Sequence, residues 1–366
     1  MGTIGELKIW YGMGAAAWLR LLWRNRFAVD RGRRLTAIVA TLLSLRNTVL
    51  GGCQRALLIV RPPPAIALAP VFIVGHWRSG TTWLHEMLAL DDRHTAPTTY
   101  ECFAPGHFLL TERIFTRWIH RVFAPVRRPM DRMAVGWGSP QEDEFAMLNL
   151  GQPSAYMRIA FPDAPWTGVA DLQLDLSANV RRAWTSAFLR FLTVVSSRRS
   201  GRLVLKSPLH LGRIRLLLEI FPDARFVHIV RDPYAVFAST VRMWQSLSEQ
   251  QGLQDASGDR QYERVFATFV DLHARFDDAR GLIPEGRLVQ VRYEDLVRDP
   301  MAVLRTIYEH LNLGAIEPAQ PRLRSYLTSI AGHEGARYSL TPATQDEITR
   351  RWGSIIREQG YAICTG

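Results

Sequence analysis

The segment from residue 71 to residue 90 constrains the fold of this chain most strongly. It begins with the apolar run Val71–Val74, continues through the turn Gly-His-Trp-Arg-Ser-Gly-Thr-Thr at 75–82, and then places apolar residues at 83, 84, 87 and 88. A short, continuous, β-branched run predicts a strand covered on both faces. The later spacing predicts a helix with one buried face. The segment is therefore expected to form a strand, a tight turn and a helix.

Three later segments repeat this alternation of an apolar run and a helical spacing: 203–205 with 209–220, 226–230 with a helix that begins at Asp232 and Pro233, and 288–291 with 301–311. Asp is a favoured N-cap residue, and Pro suits the first position of a helix. Strands that alternate with helices predict an α/β fold, a P-loop-like parallel sheet flanked by helices on both faces. In such a sheet, ligands bind beyond the carboxyl ends of the strands.

The rest of the chain is expected to surround this sheet. The three prolines at 62–64 read as a stiff connector, so residues 1–65 are predicted to be an amphipathic helical N-terminal appendage and residues 66–366 an α/β domain. Within the latter, residues 100–200 read as a helical insertion that is rich in aromatic residues. An insertion of that size is expected to form the acceptor side of the site, although most of its rings are expected to pack in the core.

The turn itself predicts a site for a phosphorylated ligand. Gly75 and Gly80 lie five residues apart between a strand and a helix, so successive backbone N–H groups can point at an anion held at the helix N-terminus. A nucleotide triphosphatase loop would have lysine directly after the second glycine. Here Thr81 stands in that place, the cation is Arg78, and no acidic residue is placed to hold magnesium. We therefore expect no metal.

The run of residues 72–84, Phe-Ile-Val-Gly-His-Trp-Arg-Ser-Gly-Thr-Thr-Trp-Leu, resembles the 5′-phosphosulfate loop of the sulfotransferases that use 3′-phosphoadenosine 5′-phosphosulfate (PAPS). Its arginine is similar to that of tyrosylprotein and many bacterial sulfotransferases, whereas the cytosolic small-molecule branch has lysine there. The resemblance implies PAPS as the donor co-substrate. It also implies that six residues of this loop bind the donor: Arg78, Ser79, Gly80, Thr81, Thr82 and Trp83.

Further along the chain, Arg231 and Ser239 match the family's arginine at a strand end and the serine eight residues later, which together hold the 3′-phosphate. Lys206 in Leu-Lys-Ser-Pro matches a lysine that faces the sulfuryl group. Because Lys8 and Lys206 are the chain's two lysines among 45 basic residues, Lys206 also stands out by composition. The Arg-Lys-Gly loop of the cytosolic branch is absent, which leaves Arg337 as a weak substitute. The resemblance covers about residues 70 to 340.

Sulfuryl transfer also needs a base for the acceptor hydroxyl, and two carboxylates are suitably placed in the sequence. Glu101 stands near the glutamate of the tyrosylprotein branch, and Glu86 has the spacing of the glutamate in the glycosaminoglycan branch. We prefer Glu101, because a residue in a loop after a strand reaches the strand ends more easily than one well inside a helix. His85, His107 and the acidic run 142–144 are further candidates, each with a structural explanation. Arg78 and Lys206 are the residues expected to meet the developing charge.

The net charge of +11 implies anionic partners but does not choose among them. Two other functions stay open: a metal-dependent P-loop kinase or nucleotide triphosphatase, and a non-catalytic protein that binds lipid or nucleic acid. The arginines are spread over the whole chain with no basic run beyond three residues, so nucleic acid is not expected as a partner. Three cysteines without a C-x-x-C pair favour a reducing cytoplasm.

The first 61 residues mix tryptophan, leucine and arginine in a composition that suits an interfacial helix on anionic lipid. They show no signal-peptide pattern, and their uncharged apolar runs at 12–19 and 35–45 fall short of the ~18 residues that span a bilayer. We expect a cytoplasmic protein that is peripheral at the inner face of the membrane, with helices packed on the main domain as the alternative. A small or lipid-like alcohol is the favoured acceptor, and a sugar or a peptide tyrosine stays open.

Overall fold

A computed structural model describes residues 8–119, 126–127, 134–164, 166–255, 261–330 and 339–364. The chain divides into two compact units. The first comprises Met1–Ile66, Pro97–Arg198 and Met243–Gln261, and the second comprises Ala67–Ala96, Arg199–Arg242 and Tyr262–Gly366. The N-terminal segment and the aromatic-rich insertion therefore belong to one compact unit, and the strands of the predicted sheet belong to the other.

The second unit is built on a five-stranded parallel sheet, as the sequence predicts. Its strands are β1 (Val71–Val74), β2 (His94–Thr95), β5 (Arg202–Lys206), β6 (Arg225–Val230) and β7 (Leu288–Arg292), in the spatial order β2-β5-β1-β6-β7. All of the pairings among them are parallel. Strand β1 lies at the centre with all four residues buried, so the turn that follows it opens in the middle of the sheet's carboxyl edge.

Helices cover both faces of this sheet. The helices of the second unit are α3 (Thr81–Leu88), α8 (Ile214–Ile220), α10 (Gln261–Arg280), α11 (Tyr293–Arg298), α12 (Pro300–His310), α13 (Gln320–Ser329) and α14 (Pro342–Glu358). On one face, Val71 and Ile73 share a core with Leu84 of α3 and Leu304 of α12. On the other face, His228 packs against Phe276 of α10. The predicted α/β class is confirmed.

Two helix boundaries show how local sequence acts. The helix predicted over 209–220 is divided into a 3-10 turn, Pro208–Gly212, and α8. Helix α9 (Pro233–Gln251) begins as predicted, because the Asp232 carboxylate accepts a hydrogen bond of 3.1 Å from the Tyr234 N–H. This cap satisfies one of the N–H groups that the first turn of a helix leaves without a partner.

The first unit is mainly helical. Its helices are α1 (Ala15–Arg24), α2 (Arg34–Val60), α4 (Thr99–Phe103), α5 (Phe108–Ile119), α6 (Asp143–Asn149) and α7 (Ala178–Arg198), with 3-10 turns at Arg31–Arg33, Ala155–Ala160 and Gly168–Leu172. Strands β3 (Val126–Arg127) and β4 (Ala134–Val135) form a separate antiparallel pair. Phe108, Tyr156, Phe161 and Trp184 are buried, so many of the insertion's aromatic rings pack in the core, as expected.

The length of α2 corrects one expectation from the sequence. The apolar runs of the N-terminal segment were expected to be too short to cross a bilayer. Within the described residues, however, Arg31–Val60 forms one helical stretch of 30 residues that contains an 18-residue window of mean hydropathy 1.3, which is long and apolar enough to do so by length and composition. The expectation counted only uncharged runs, whereas Arg46 and Arg55 interrupt the apolar pattern of this helix without ending it.

Candidate active site

The turn after β1 is closed by its own side chains and requires glycine at both ends. The Ser79 hydroxyl donates to the His76 carbonyl at 2.7 Å. A Cβ atom on Gly75 would lie 2.5 Å from the Ile229 carbonyl oxygen, and one on Gly80 would lie 2.4 Å from the Tyr293 ring. Side chains larger than hydrogen therefore do not fit at either position.

The backbone of this turn is shaped to receive an anion. Arg78 and Gly80 both have positive φ, at 68° and 99°, and helix α3 begins directly after Gly80. Alternation of left-handed and right-handed residues before a helix directs successive N–H groups into one concavity, and the helix N-terminus adds a partial positive charge. The loop therefore fits a phosphate or sulfate group. Thr81 is buried, while Thr82 and Trp83 are partly exposed.

Arg78 meets the residues that the resemblance assigns to the 3′-phosphate. Its Nε donates to the Ser239 hydroxyl at 2.8 Å, and the Arg231 guanidinium donates to the Arg78 carbonyl at 3.0 Å. Arg231 follows the last residue of β6, and Ser239 lies in α9. Arg231 and Ser239, which follow Arg78 by 153 and 161 residues in the sequence, thus lie beside the loop. The two arginines place two positive charges there, as an oligophosphate requires.

Lys206 is the last residue of β5 and pairs across the sheet with Ile73 of β1. The side chain is 2% exposed. A lysine at a strand end, two residues along the neighbouring strand from Gly75, lies at the edge where parallel sheets bind their ligands. The predicted association of Lys206 with the loop therefore has support from the register of the sheet.

Tyr293 is a site residue that the sequence analysis missed. It follows directly after β7 and is the first residue of α11. Its ring lies beneath Gly80, forms an edge contact with Trp83 at 6.4 Å, and has the Arg231 guanidinium 4.2 Å from its centre. Its position at the end of β7 was the available signal, because strand ends line such sites.

The carboxylate of Glu86 lies on the loop helix α3, where it accepts a hydrogen bond of 2.6 Å from the Tyr326 hydroxyl of α13. The neighbouring His85 is buried, and its Nε2 contacts the Val204 carbonyl at 3.0 Å. A carbonyl oxygen can only accept, so the His85 Nε2 carries the proton. This contact gives His85 a role in packing α3 onto β5.

Glu101 lies in helix α4 of the first unit and is fully buried, so the expectation that it stands in a loop after a strand was wrong. One carboxylate oxygen accepts from the Thr98 N–H at 2.8 Å, and the Thr98 hydroxyl accepts from the Glu101 N–H, which forms a capping box at the start of α4. The other oxygen accepts from Arg198 at 3.0 Å, and Arg198 also pairs with Glu112. Glu101 thus has a clear structural role beside any catalytic one.

The remaining candidates have structural partners or lie outside the described residues. His107 contacts Thr111 and Asn47, and burial lowers the pKa of His107 to about 4. The carboxylate of Glu142 accepts from Tyr156 at 2.6 Å, while Asp143 and Glu144 are fully buried. Arg337 lies outside the described residues.

The fold and the loop define a class of protein, an α/β protein with a phosphate-binding loop that lacks the lysine of a triphosphatase loop. Among the described residues, no group of three or more His, Cys, Asp or Glu side chains is arranged to hold a metal ion. Comparison with known proteins then identifies the family. A family model described as the sulfotransferase family matches residues 70–317.

The omega-hydroxy-beta-dihydromenaquinone-9 sulfotransferases Stf3 of Mycobacterium bovis and Mycobacterium tuberculosis are each 43% identical to this chain, over 96% of it and 91% of their own length. The fold is similar to that of sulfotransferase STF9 from Mycobacterium avium, with a TM-score of 0.70 at 20% identity, covering 96% of this chain and 98% of that one. The chain belongs to the sulfotransferase family, and the kinase and non-catalytic alternatives give way to sulfuryl transfer from a PAPS-type donor to a hydroxyl acceptor.

Proposed function

We propose that this enzyme transfers the sulfuryl group of PAPS to a terminal hydroxyl on an isoprenoid quinone. The observation that carries the acceptor is the 43% identity, over nearly the whole of both chains, to an enzyme named for an ω-hydroxylated dihydromenaquinone. The donor is supported by the loop at 75–82, by family membership, and by Arg231 and Ser239, which contact that loop.

In this proposal the loop and its partners divide the donor between them. The backbone of Ser79 and Gly80 and the hydroxyls of Thr81 and Thr82 hold the 5′-phosphosulfate, and Trp83 packs against the adenine. Arg231 and Ser239 hold the 3′-phosphate, with Tyr293 supporting the Arg231 guanidinium from below. No metal takes part.

Lys206 and Arg78 supply the charge stabilisation. The acceptor oxygen forms a bond to sulfur, the bond between sulfur and the bridging phosphate oxygen breaks, and 3′-phosphoadenosine 5′-phosphate leaves. Negative charge grows on the bridging oxygen as that bond breaks. The ammonium of Lys206 is a compact donor with little exposure to water, so its attraction for that charge is stronger than it would be in solvent.

A carboxylate takes the proton of the acceptor hydroxyl. We propose Glu101 as this base, with Glu86 as the alternative. Each carboxylate already accepts at least one hydrogen bond, from Thr98 and Arg198 in the first case and from Tyr326 in the second. Those contacts fix the orientation of the carboxylate, and orientation is one of the requirements for a general base.

A row of aromatic rings in the first unit suits a hydrocarbon acceptor. Phe145 stacks on Tyr156 with ring centres 4.9 Å apart, and Phe103 lies 5.7 Å from Phe145. Phe103 and Phe145 are only partly buried. Partly exposed rings offer apolar surface to an isoprenoid chain, which supports the expectation that the insertion forms the acceptor side.

An isoprenoid quinone resides in a bilayer, so the enzyme must reach a membrane to find it. We propose a cytoplasmic protein that binds peripherally to the inner face of the membrane through its N-terminal segment. The supply of PAPS, a soluble nucleotide, fits an enzyme whose donor site faces water.

Calorimetric titration with 3′-phosphoadenosine 5′-phosphate tests the donor assignment. Replacing Arg231 with Ala should weaken binding about tenfold to a hundredfold, because a charge-assisted hydrogen bond contributes about 1.5–3 kcal/mol. Arg298→Ala is the matched control, since this arginine is largely exposed and pairs with Asp295. Unchanged affinity in Arg231→Ala would contradict the assignment. Turnover of a hydroxylated isoprenoid quinone, compared with a sugar and a tyrosine peptide, tests the acceptor.

A further inference from the structure

Helix α2 carries a row of exposed apolar side chains along one face. Leu35, Ile38, Leu42, Leu45 and Val49, which we call the α2 stripe, follow one another at steps of three or four residues, and each is more than half exposed. Residues three and four apart share one face of a helix. Scattered apolar residues are normal on a protein surface, but a continuous row of this length marks an interaction site.

The opposite face of α2 is held by the first unit. The buried residues of the helix are Ala40, Ser44, Asn47, Gly51 and Gln54. The Asn47 amide donates to the carbonyls of Tyr11 and Met13 at 2.8 and 3.1 Å, and the Gln54 carbonyl oxygen accepts from the Leu109 N–H at 2.9 Å. A helix that crossed a bilayer would lose these hydrogen bonds, and its buried amides would face hydrocarbon at a large cost. Helix α2 therefore lies along the surface of its unit and is not a spanning helix.

The charges around the stripe have one sign. Residues 31–60 contain no Asp or Glu, and residues 8–61 contain ten basic residues against the single acid Asp30. Arg34 and Arg46 are exposed. A helix turns by about 100° per residue, which places these two arginines on opposite sides of the α2 stripe. The surface is thus an apolar row with a cationic border on each side.

This border distinguishes between two occupants of the stripe. A second copy of the chain, packed stripe to stripe, would bring the arginines of one α2 against those of the other with no acidic partner on either helix, which is unfavourable. Anionic lipid headgroups are complementary to the same arginines, whose long side chains reach the headgroups while the apolar row enters the acyl boundary. The charge pattern favours the membrane.

We propose that the α2 stripe is the surface by which this protein lies on an anionic bilayer, with α2 in the plane of the interface. The inference rests on the proposed function in that a lipid acceptor brings the enzyme to a membrane. It goes further by assigning the contact to one face of one helix. The protein would therefore approach its acceptor from a defined orientation.

A label on Cys53 tests the contact directly. Cys53 is exposed on α2 and follows Val49 by four residues, Cys102 is buried, and Cys364 can be replaced by Ser. A polarity-sensitive fluorophore on Cys53 should shift to the blue with vesicles that contain phosphatidylglycerol. Lipids brominated near the headgroup should quench it more than lipids brominated near the bilayer centre. No shift, or stronger quenching from the centre, would overturn the in-plane contact.

Matched substitutions locate the surface. Leu42→Asp should weaken vesicle binding at least tenfold, whereas Val297→Asp, at a similarly exposed valine of α11, should leave it within twofold. Both side chains are exposed, so both variants should keep the circular dichroism spectrum of the native chain. Equal losses in the two variants, or no loss in Leu42→Asp, would count against the proposal.

Charge and oligomeric state complete the test. Arg34→Gln and Arg46→Gln should each weaken binding to phosphatidylglycerol vesicles about fivefold, with little effect on phosphatidylcholine vesicles. Sedimentation should show the same oligomeric state for the native chain and for Leu42→Asp; a native dimer that Leu42→Asp dissociates would overturn the proposal in favour of a second copy. Vesicle binding needs no turnover, so its loss and a failure of sulfuryl transfer are separately visible.

Discussion

The Nε atom of Arg78 donates to the hydroxyl of Ser239 at 2.8 Å, across 161 residues of sequence. This hydrogen bond joins the loop after β1 to helix α9, so that the residue proposed to meet the 5′-phosphosulfate is oriented by a residue proposed to hold the 3′-phosphate. The proposed 5′-phosphosulfate and 3′-phosphate sites are therefore joined by a hydrogen bond, and a substitution in one site should alter the function of the other.

Replacement of Ser239 with Ala should accordingly affect both binding and turnover. We expect the affinity for 3′-phosphoadenosine 5′-phosphate to fall about tenfold, since a hydrogen bond to a charged group contributes about 1.5–3 kcal/mol, and kcat to fall as well because Arg78 loses its support. Calorimetry and steady-state assays measure the two effects. Ser246→Ala on the same helix is the control. Weaker binding with an unchanged kcat would separate the two roles and contradict the coupling.

Lys206→Met should lower kcat by about a hundredfold to a thousandfold, the usual cost of removing one donor to developing charge. Methionine is of similar length and apolar, so the buried position should tolerate it. Lys206→Arg should not restore activity, because a planar guanidinium does not replace a compact ammonium at a site with 2% exposure. Single-turnover assays isolate the chemical step, and a normal rate in Lys206→Met would remove this residue from the mechanism.

Glu101→Gln and Glu86→Gln form a matched pair for the proposed base. Glutamine can still serve in a capping box, so Glu101→Gln keeps the start of α4 and removes the negative charge that pairs with Arg198. In the same way, the Gln amide oxygen at position 86 can still accept from Tyr326. We expect a loss of about 10²–10⁴-fold in kcat for Glu101→Gln and nearly normal turnover for Glu86→Gln. The reverse result would transfer the role to Glu86.

Gly80→Ala should cost much more than the same change at Gly168. Both glycines have positive φ, at 99° and 84°, which costs a residue with a Cβ atom about 1–2 kcal/mol. A Cβ at Gly80 would also meet the Tyr293 ring at 2.4 Å, whereas one at Gly168 has nothing within 4 Å. Urea unfolding should show a larger loss of stability for Gly80→Ala than for Gly168→Ala. Nucleotide titration should show a loss of binding for Gly80→Ala but not for Gly168→Ala. Equal effects would mean that the ring contact is unimportant.

Three buried histidines should make the protein sensitive to acid. Burial, with the neighbouring His273, lowers the pKa of His76 and His228 to about 3, and burial lowers the pKa of His273 to about 4. The unfolded chain, with a pKa near 6.5 for histidine, therefore binds more protons than the folded chain between about pH 6.5 and 4. As the pH is lowered through that range, the free energy of unfolding should fall by up to about 1.4 kcal/mol per pH unit for each histidine.

Urea titrations at pH 7 and pH 5 measure this effect. His228→Gln should flatten the pH dependence, because one of the groups that must stay neutral in the fold is removed, whereas replacement of the exposed His310 by Gln should not. A native chain whose stability is equal at pH 7 and pH 5 would contradict the assignment of these histidines as neutral in the fold.

The sequence predicts most of the strands and their parallel arrangement, but not every strand of the sheet. Four of the five strands of the sheet are visible as apolar runs, and the parallel arrangement follows from their alternation with helices. The two-residue strand β2 (His94–Thr95) contains no apolar run. It is recognised as a strand through its pairing with β5, which the sequence does not show. Helix α2 was underestimated for a related reason: arginines on its outer side break the apolar pattern but not the helix.

The sequence by itself determined the chemistry of the loop, because residue type at 75–82 is a local property: Gly75 and Gly80 bracket the turn, Arg78 is its cation, and Thr81 stands where a triphosphatase loop has lysine. The tertiary structure alone decided which distant residues serve that loop. Tyr293 beneath Gly80, Ser239 on Arg78, and the division of Glu86 and Glu101 between two units depend on how strands pack side by side, since contacts between residues far apart in a chain leave no local pattern.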